Sequence, residues 1–300
     1  MSIVDEKSFD VKDARLETIV ACDAAPESLG TGFGFTEGPV WDARNRRLIF
    51  SDMKQDCMRS WSAEQAIATF RRPSNKANGN AFDHKGRLLS CEHVTSRVVR
   101  QTVQGTLEIV ASHFEGKELN SPNDIVVKQD GAIYFTDPTY GRIREELGLL
   151  REPELGFQGV YRVSPDDGEL RLLADDFEQP NGLCFSADDR TLFVNDTMRK
   201  HIRRFDVLPD GSVSGGDVWA ETVGDAPGAP DGMKIDVEGH LFCTGPGGIH
   251  VFDTTARILG VILLPERAAN FNWGGDDKCT LFVTASTSLY RLKTKLPGRV

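Results

Sequence analysis

Oxygen-bearing side chains recur at one register of this sequence. Glu37, Asn78, Asn123, Asn181, Asp231 and Asn270 each head a similar unit. The unit is the polar residue, usually a following Gly or Asp, an apolar run, a short turn and a second apolar run. "NGLCFSADDRTLFVND" from Asn181 shows the whole pattern, and "EGPVWDARNRRLIFSD" from Glu37 and "NDIVVKQDGAIYFTD" from Asn123 repeat it. Further polar residues, Asp52, Glu92-His93, Asp137 and Asp196, close four of the units. Carboxylate and amide oxygens at matching positions, without paired Cys or His, are donors for a hard divalent cation such as Ca2+ or Mg2+ rather than a soft metal. Taken singly, each such residue is explained by ending a strand in an Asx-turn. As a set, with Glu and Asp replacing Asn at one register, they favour a site.

The spacing indicates what would position these oxygens. The units start at 37, 78, 123, 181, 231 and 270, at intervals of 41, 45, 58, 50 and 39 residues, close to the roughly 40–50-residue period of β-propeller blades. Each continues with a third and often a fourth β-like run, such as "RVVRQTV" with "LEIVAS" and "HIRRFDVL" with "DVWAET". Short strands, polar turns and little helical periodicity predict an all-β fold. The expected architecture is a six-bladed β-propeller with four-stranded antiparallel blades, one domain over 1–300. A linear β-solenoid is the alternative, but its repeats are usually about half this long. In an antiparallel hairpin the start of the first strand and the end of the second share an edge, so both sets of polar residues would surround one mouth of the central channel. The segments "ARLETIVAC" (14–22) and "SLYRLKT" (288–294) are expected to share a blade and close the ring.

Two local features need separate treatment. Asn181-Gly182 has the composition of a hairpin turn but precedes its hairpin, whose turn falls at Ala187–Arg190. Gly182 is expected instead to relieve crowding near the axis. The longest interval follows Asn123, and its surplus falls in "PTYGRIREELGLLREPELGFQG" (138–159). There Ile143, Leu147 and Leu150 have helical spacing, limited by Pro153. A lid-like insertion in blade three is one reading, and a passive surface excursion the other.

Composition narrows the partners. Lys and Arg total 35 against 45 Asp and Glu, a net charge of −10, which argues against nucleic acid. The basic stretch 199–204 reads as a solvated strand face. The longest apolar run, Ile258 to Leu264, is interrupted by Gly260 and falls far short of the ~20 residues that span a bilayer, so no membrane is expected. The N-terminus is charged and lacks the apolar core of a signal peptide. The six cysteines form no CxxC and several sit in apolar runs, which suggests free thiols and a cytoplasmic protein. There is no GxSxG, HExxH, EF-hand loop or phosphate-binding loop, and "GTGFGF" (30–35) completes no dinucleotide fingerprint, so serine hydrolase, zincin and Rossmann readings lack support.

Five motifs carry a resemblance that covers nearly the whole chain: "FTEGPVW" (35–41), "SPNDIVV" (121–127), "FTDPTYG" (135–141), "QPNGLCFS" (179–186) and "PDGMKID" (230–236). With these the chain resembles the gluconolactonase/regucalcin family of six-bladed propellers, with diisopropylfluorophosphatase-type enzymes as distant relatives. The resemblance implies one divalent cation at the channel mouth, Ca2+ as the first expectation and Zn2+, Mn2+ or Mg2+ as others. It implies Glu37, Asn181 and Asp231 as ligands, with Asn123 binding directly or through water. "CEHVTSRVVR" (91–100) is similar to the bacterial lactonases and implies His93 and Arg97 as substrate contacts, to which Asn123 and Tyr140 are added. Ser121 departs from the animal regucalcins, which carry Arg there, so substrate contacts do not transfer from them. The implied activity is metal-dependent hydrolysis of a small-molecule sugar lactone such as a gluconolactone. The cation polarises the carbonyl while water attacks with carboxylate help. Asp231 is the candidate base, followed by Asp137 or Glu92. The alternatives are a phosphotriesterase-like hydrolase on the same metal and a calcium- or small-molecule-binding propeller without turnover.

Overall fold

The structure, a computed structural model, describes residues 8–23, 25–102 and 104–299. The charged segment 1–7, read above for its lack of an apolar core, lies outside them. Among the described residues six of the seven antiparallel sheets are blades that follow one another along the chain, and the seventh is a two-stranded ribbon, His113–Phe114 with Lys117–Glu118. Blade one runs Thr36–Asp42, Arg47–Asp52, Cys57–Ser62 and Ala66–Arg71 from the axis outward. Blades two, three and four repeat this order from Ala77, Ile125 and Pro180, and blades five and six from Met233 and Ala268.

Burial follows position in the blade. The second strands Leu88–Glu92, Ile133–Asp137, Leu241–Gly245 and Thr280–Ala285 are buried at every residue, because neighbouring blades cover both faces. Outer strands such as Val213–Glu221 are largely accessible. The apolar core is accordingly divided into six clusters, each between two adjacent blades. Phe242 and Ile249 of blade five meet Phe271 and Trp273 of blade six, for example, and Phe50 of blade one meets Phe282 of blade six. The last of these interfaces forms only if the ring closes.

Closure differs from the expectation. Glu27–Thr31, not 14–22, supplies the outer strand of blade six, pairing antiparallel with Ser288–Lys293. The expected segment contributes a helical turn, Leu16–Ile19, and a single bridge from Val20 to Thr294. Leu16 and Ile19, three apart, share a face of that turn and bury it against blades five and six. An outermost strand needs backbone pairing more than apolar side chains, which is why "ESLGT" suffices. Phe9–Val11 adds a fifth strand to blade five.

The insertion of blade three also departs from its pattern. Only Tyr140–Ile143 is helical, and Ile143 and Leu150 are exposed. Buried Arg142 organises the segment instead. It donates to the carbonyls of Asn120 (2.8 Å), Leu119 (2.5 Å) and Glu152 (3.1 Å) and pairs with Glu118 at 2.7 Å. Arg151 adds bonds to Ser96 and Glu118.

Near the axis the first strands approach one another closely. A Cβ at Gly182 would collide with the carbonyl oxygen of Asp231, and one at Gly38, where φ is +47°, with that of Asn78. Both contacts are with the next blade. Crowding at the axis is therefore the reason for Gly182, as the sequence suggests. All six cysteines are free, four of them buried. No described helix is long and apolar enough to cross a membrane.

Candidate metal centre and substrate cavity

A cavity of about 370 Å³ opens at the channel mouth where the first strands begin. Glu37, Asn78, Asn123, Asn181 and Asp231 line it from five blades, with His93 from blade two and Tyr140 from the insertion. The structure thus gathers the four expected ligands and three of the four expected substrate contacts. Arg97 does not line the cavity. Its Nε pairs at 2.8 Å with buried Glu92, whose carboxylate also accepts from Asn75 and Thr95.

The strand geometry fixes what each ligand position presents. Thr197 donates its hydroxyl proton to Pro230 O at 2.7 Å, so it can only accept from Asn181 Nδ2, at 3.0 Å. That orients the amide and leaves Asn181 Oδ1 buried without a protein partner. An orphaned buried acceptor is costly. Beside it lie two buried carboxylates. Glu37 accepts from its neighbour's amide, Gly38 N–H, at 3.0 Å. Burial, then the charge of Asp231, pushes the Glu37 carboxyl well above its usual range. Asp231 is pushed up to about 7 by burial, with Arg267 pulling it down, Asp124 pushing it up and the Asn181 amide pulling it down. A divalent cation among these oxygens would remove both penalties, and the all-oxygen set suits a hard ion. Among the described residues no group of three or more His, Cys, Asp or Glu forms, so the donor set rests on two carboxylates and amides.

Residues of the preceding blade hold these positions through the backbone. Ser51 Oγ donates to Asn78 O (2.7 Å), Thr136 Oγ1 to Asn181 O (2.8 Å), and Asn195 Nδ2 to Asp231 O (2.7 Å). The adjacent acids, grouped with the ligands by sequence position, do different work. Asp52, Asp137 and Asp196 turn away from the axis and accept backbone N–H groups from the loop entering their own blade. For Asp137 the donors are Asn120 and Ser121, both at 2.8 Å; for Asp196 they include Glu178 (2.8 Å) and Gln179 (3.2 Å). Asp52 accepts from Gly34 at 2.9 Å. Burial pushes Asp137 up to about 7, against the two N–H bonds that favour its anion. Each Asp137 oxygen accepts one loop N–H. Glu92 accepts from Asn75, Thr95 and Arg97 through Oε2, while its buried Oε1 has no hydrogen-bond partner among the described residues; neither acid lines the cavity. The sequence signal for this device was the pairs Ser51-Asp52, Thr136-Asp137 and Asn195-Asp196.

His93 has a narrower role than its motif suggests. Its Nδ1 donates to Leu147 O of the insertion at 3.1 Å, which leaves Nε2 to accept from Asn78 Nδ2 at 3.3 Å. Burial lowers its pKa to about 4, keeping the ring neutral. It joins the insertion to a residue of the cavity. Tyr140 is buried, with no partner for its hydroxyl among the described residues, and burial pushes that hydroxyl up to about 12.

Two other cavities each hold one unpartnered buried amide oxygen, Gln101 Oε1 and Asn272 Oδ1, but neither sets it beside two buried carboxylates that burial and like charge push up. A cleft of about 440 Å³ between blades one and two is lined by Asp42, Arg47, Asp83 and Arg87, already paired with one another at 3.1 and 2.8 Å. A cavity of about 340 Å³ occupies the opposite channel mouth, where Arg299 and Asp189 pair.

Fold and site together define a six-bladed propeller with an oxygen-lined pocket at one channel mouth. The model of the SMP-30/Gluconolactonase/LRE-like region matches residues 35–287, and the chain belongs to that family. It is 30% identical over 306 residues to a gluconolactonase of Zymomonas mobilis, covering 95% of this chain and 85% of the other. A solved gluconolactonase structure from Xanthomonas campestris superposes with a TM-score of 0.90 at 33% identity, covering 97% of this chain and 96% of that one. The pentonolactonase XacC of Haloferax volcanii is 24% identical, over 83% of this chain and 81% of its own.

Proposed function

We propose that the protein is a metal-dependent lactonase that opens a sugar lactone in this cavity, with Glu37, Asn181, Asp231 and Asn123 holding one divalent cation, Ca2+ first among the candidates. The observation that carries the proposal is the oriented, orphaned Asn181 Oδ1 beside two buried carboxylates at the wall of a sugar-sized pocket. The lactonase names of the relatives in bacteria and in Haloferax supply the substrate class. When bound, the cation supplies Lewis acidity at the lactone carbonyl oxygen.

The chain's own groups do the rest. Asp231, which lines the cavity and is raised to about 7, takes a proton from the attacking water at a carboxylate oxygen. The water oxygen bonds to the carbonyl carbon, the ring C–O bond breaks, and the ring oxygen leaves as a hydroxyl by taking back the proton that Asp231 accepted. The product is a hydroxy acid that releases one proton to solvent at neutral pH. Asn78 and the Tyr140 hydroxyl, both at the pocket wall, are placed to meet sugar hydroxyls. His93 keeps the Asn78 amide in its orientation.

Proton release from a panel of aldonolactones tests this directly. Hydrolysis should fall to the spontaneous rate after chelation and return with Ca2+, Zn2+ or Mn2+. Absence of metal-dependent acceleration for every lactone overturns the proposal, and turnover of phosphotriesters alone would identify the phosphotriesterase-like alternative.

A further inference from the structure

The acids of this mouth each have a role, but four cations lining the same cavity do not. Lys54 follows the second strand of blade one, Arg144 belongs to the insertion, Lys200 to the turn after the second strand of blade four, and Arg267 to the loop entering blade six. All four are exposed, and none has a carboxylate in salt-bridge range among the described residues. Their outward neighbours differ: Arg59 pairs with Asp52 at 2.8 Å and Arg199 with Asp196 at 3.7 Å.

The backbones beneath Arg144 and Lys200 are hydrogen-bonded, Arg144 N–H donating to Tyr140 O at 3.1 Å. Lys200 N–H donates to Asp196 O at 2.9 Å, and its carbonyl accepts from Thr222 N–H at 3.0 Å. Arg144 lies with its guanidinium 5.2 Å from the Tyr140 ring centroid. Arg267 and Asp231 line the same cavity. Against these four the cavity sets only Glu37, Asp231 and exposed Glu146, and the first two are committed to the cation. The pocket thus holds surplus positive charge in a chain of net charge −10. A neutral aldonolactone can accept hydrogen bonds from those cations but leaves their charge unbalanced.

We propose that the preferred lactone carries a second, anionic group, a carboxylate or a phosphate, away from its ring carbonyl, held by cations of the set Lys54, Arg144, Lys200 and Arg267. This rests on the lactonase reading and names its substrate class. A guanidinium binds either anion through paired N–H groups, and the lysines add point charges. The cavity lies within the roughly 300–1,000 Å³ range of small-ligand pockets, and convergent charge in such a cleft raises capture of an oppositely charged substrate.

The test compares three lactones of one ring size with the Ca2+-loaded protein: a neutral aldonolactone, an aldarolactone with a free carboxylate, and an aldonolactone phosphorylated on its terminal hydroxyl. One or both anionic lactones should exceed the neutral one in kcat/KM by about tenfold or more at low salt; which of them does so names the anion. The preference should shrink when ionic strength rises from about 0.01 M to about 1 M, as the Debye length falls from about 30 Å to about 3 Å. The Lys54→Met/Lys200→Met double variant should lose most of the preference through KM, and Lys200→Arg should keep it. Equal or faster turnover of the neutral lactone by the unaltered protein overturns this inference and leaves the lactonase reading standing. Turnover of none of the three overturns both.

Discussion

Two sets of buried acids stand at the same mouth of this propeller, and they differ in what fills their oxygens. Asp52, Asp137 and Asp196 close the second strands, and both oxygens of each accept N–H donors. Glu37 and Asp231 open first strands, are also buried, and face each other beside an acceptor that has no donor. Residue type and burial are therefore shared between the two sets. Partner chemistry separates them: an acid supplied with protein donors ties a loop down, and an acid without them is kept for something the protein must bind.

The sharpest way to break this contrast is to neutralise one acid of each set. Asp231→Asn should reduce lactone turnover by about a thousandfold or more. It should leave the Tm of the cation-free protein unchanged or raised, because it removes one of two buried like charges. Asp137→Ala should act in reverse, lowering stability by about 3 kcal/mol or more by stripping acceptors from the Asn120 and Ser121 N–H groups. Thermal melts with and without Ca2+, beside kinetics, check both.

Acidity offers a second separation. Asp231, pushed up to about 7, holds a proton that a cation must displace. Cation affinity should therefore level off above pH 7 and weaken below it by about tenfold per pH unit for each proton displaced. Calorimetric titrations across pH 5–8 would reveal this, and a flat profile would count against the site. The smallest effect belongs to His93, lowered to about 4 from its ordinary 6.5. Its neutral ring contributes stability that is complete above the unfolded value and lost as pH falls from 6.5 toward 4, where the unfolded chain takes up a proton and the native one does not. The loss amounts to about 2–3 kcal/mol. Denaturant unfolding at pH 4.5 and 7.5 should show His93→Gln losing less stability on acidification than the unaltered protein.

The sequence made the repeat legible because each blade is one unit with polar residues at fixed register. Glu37, Asn123, Asn181 and Asp231 could be read from that register because they meet across blades at equivalent heights. What the pattern could not resolve was direction. Asp52 and Asp137 end strands one residue beyond Ser51 and Thr136, and in an extended strand adjacent side chains point to opposite faces. Ser51 and Thr136 therefore reach the next blade, and the acids turn back to their own loop. Arg97 was misplaced for a related reason, since its partner Glu92 lies across the hairpin and draws it away from the cavity. The closing strand Glu27–Thr31 and the single helical turn of the insertion escaped because backbone pairing and the Arg142 network, rather than apolar periodicity, determine them.

The central claim is that the unfilled acids form one cation site, and calorimetric titration of the chelator-treated protein with Ca2+ tests it most directly. The account predicts one site in the unaltered protein, lost in Asp231→Asn and in Glu37→Gln and retained in a folded Asp196→Asn. Unchanged binding by Asp231→Asn, or no binding by the unaltered protein of Ca2+, Zn2+, Mn2+ or Mg2+, would contradict it.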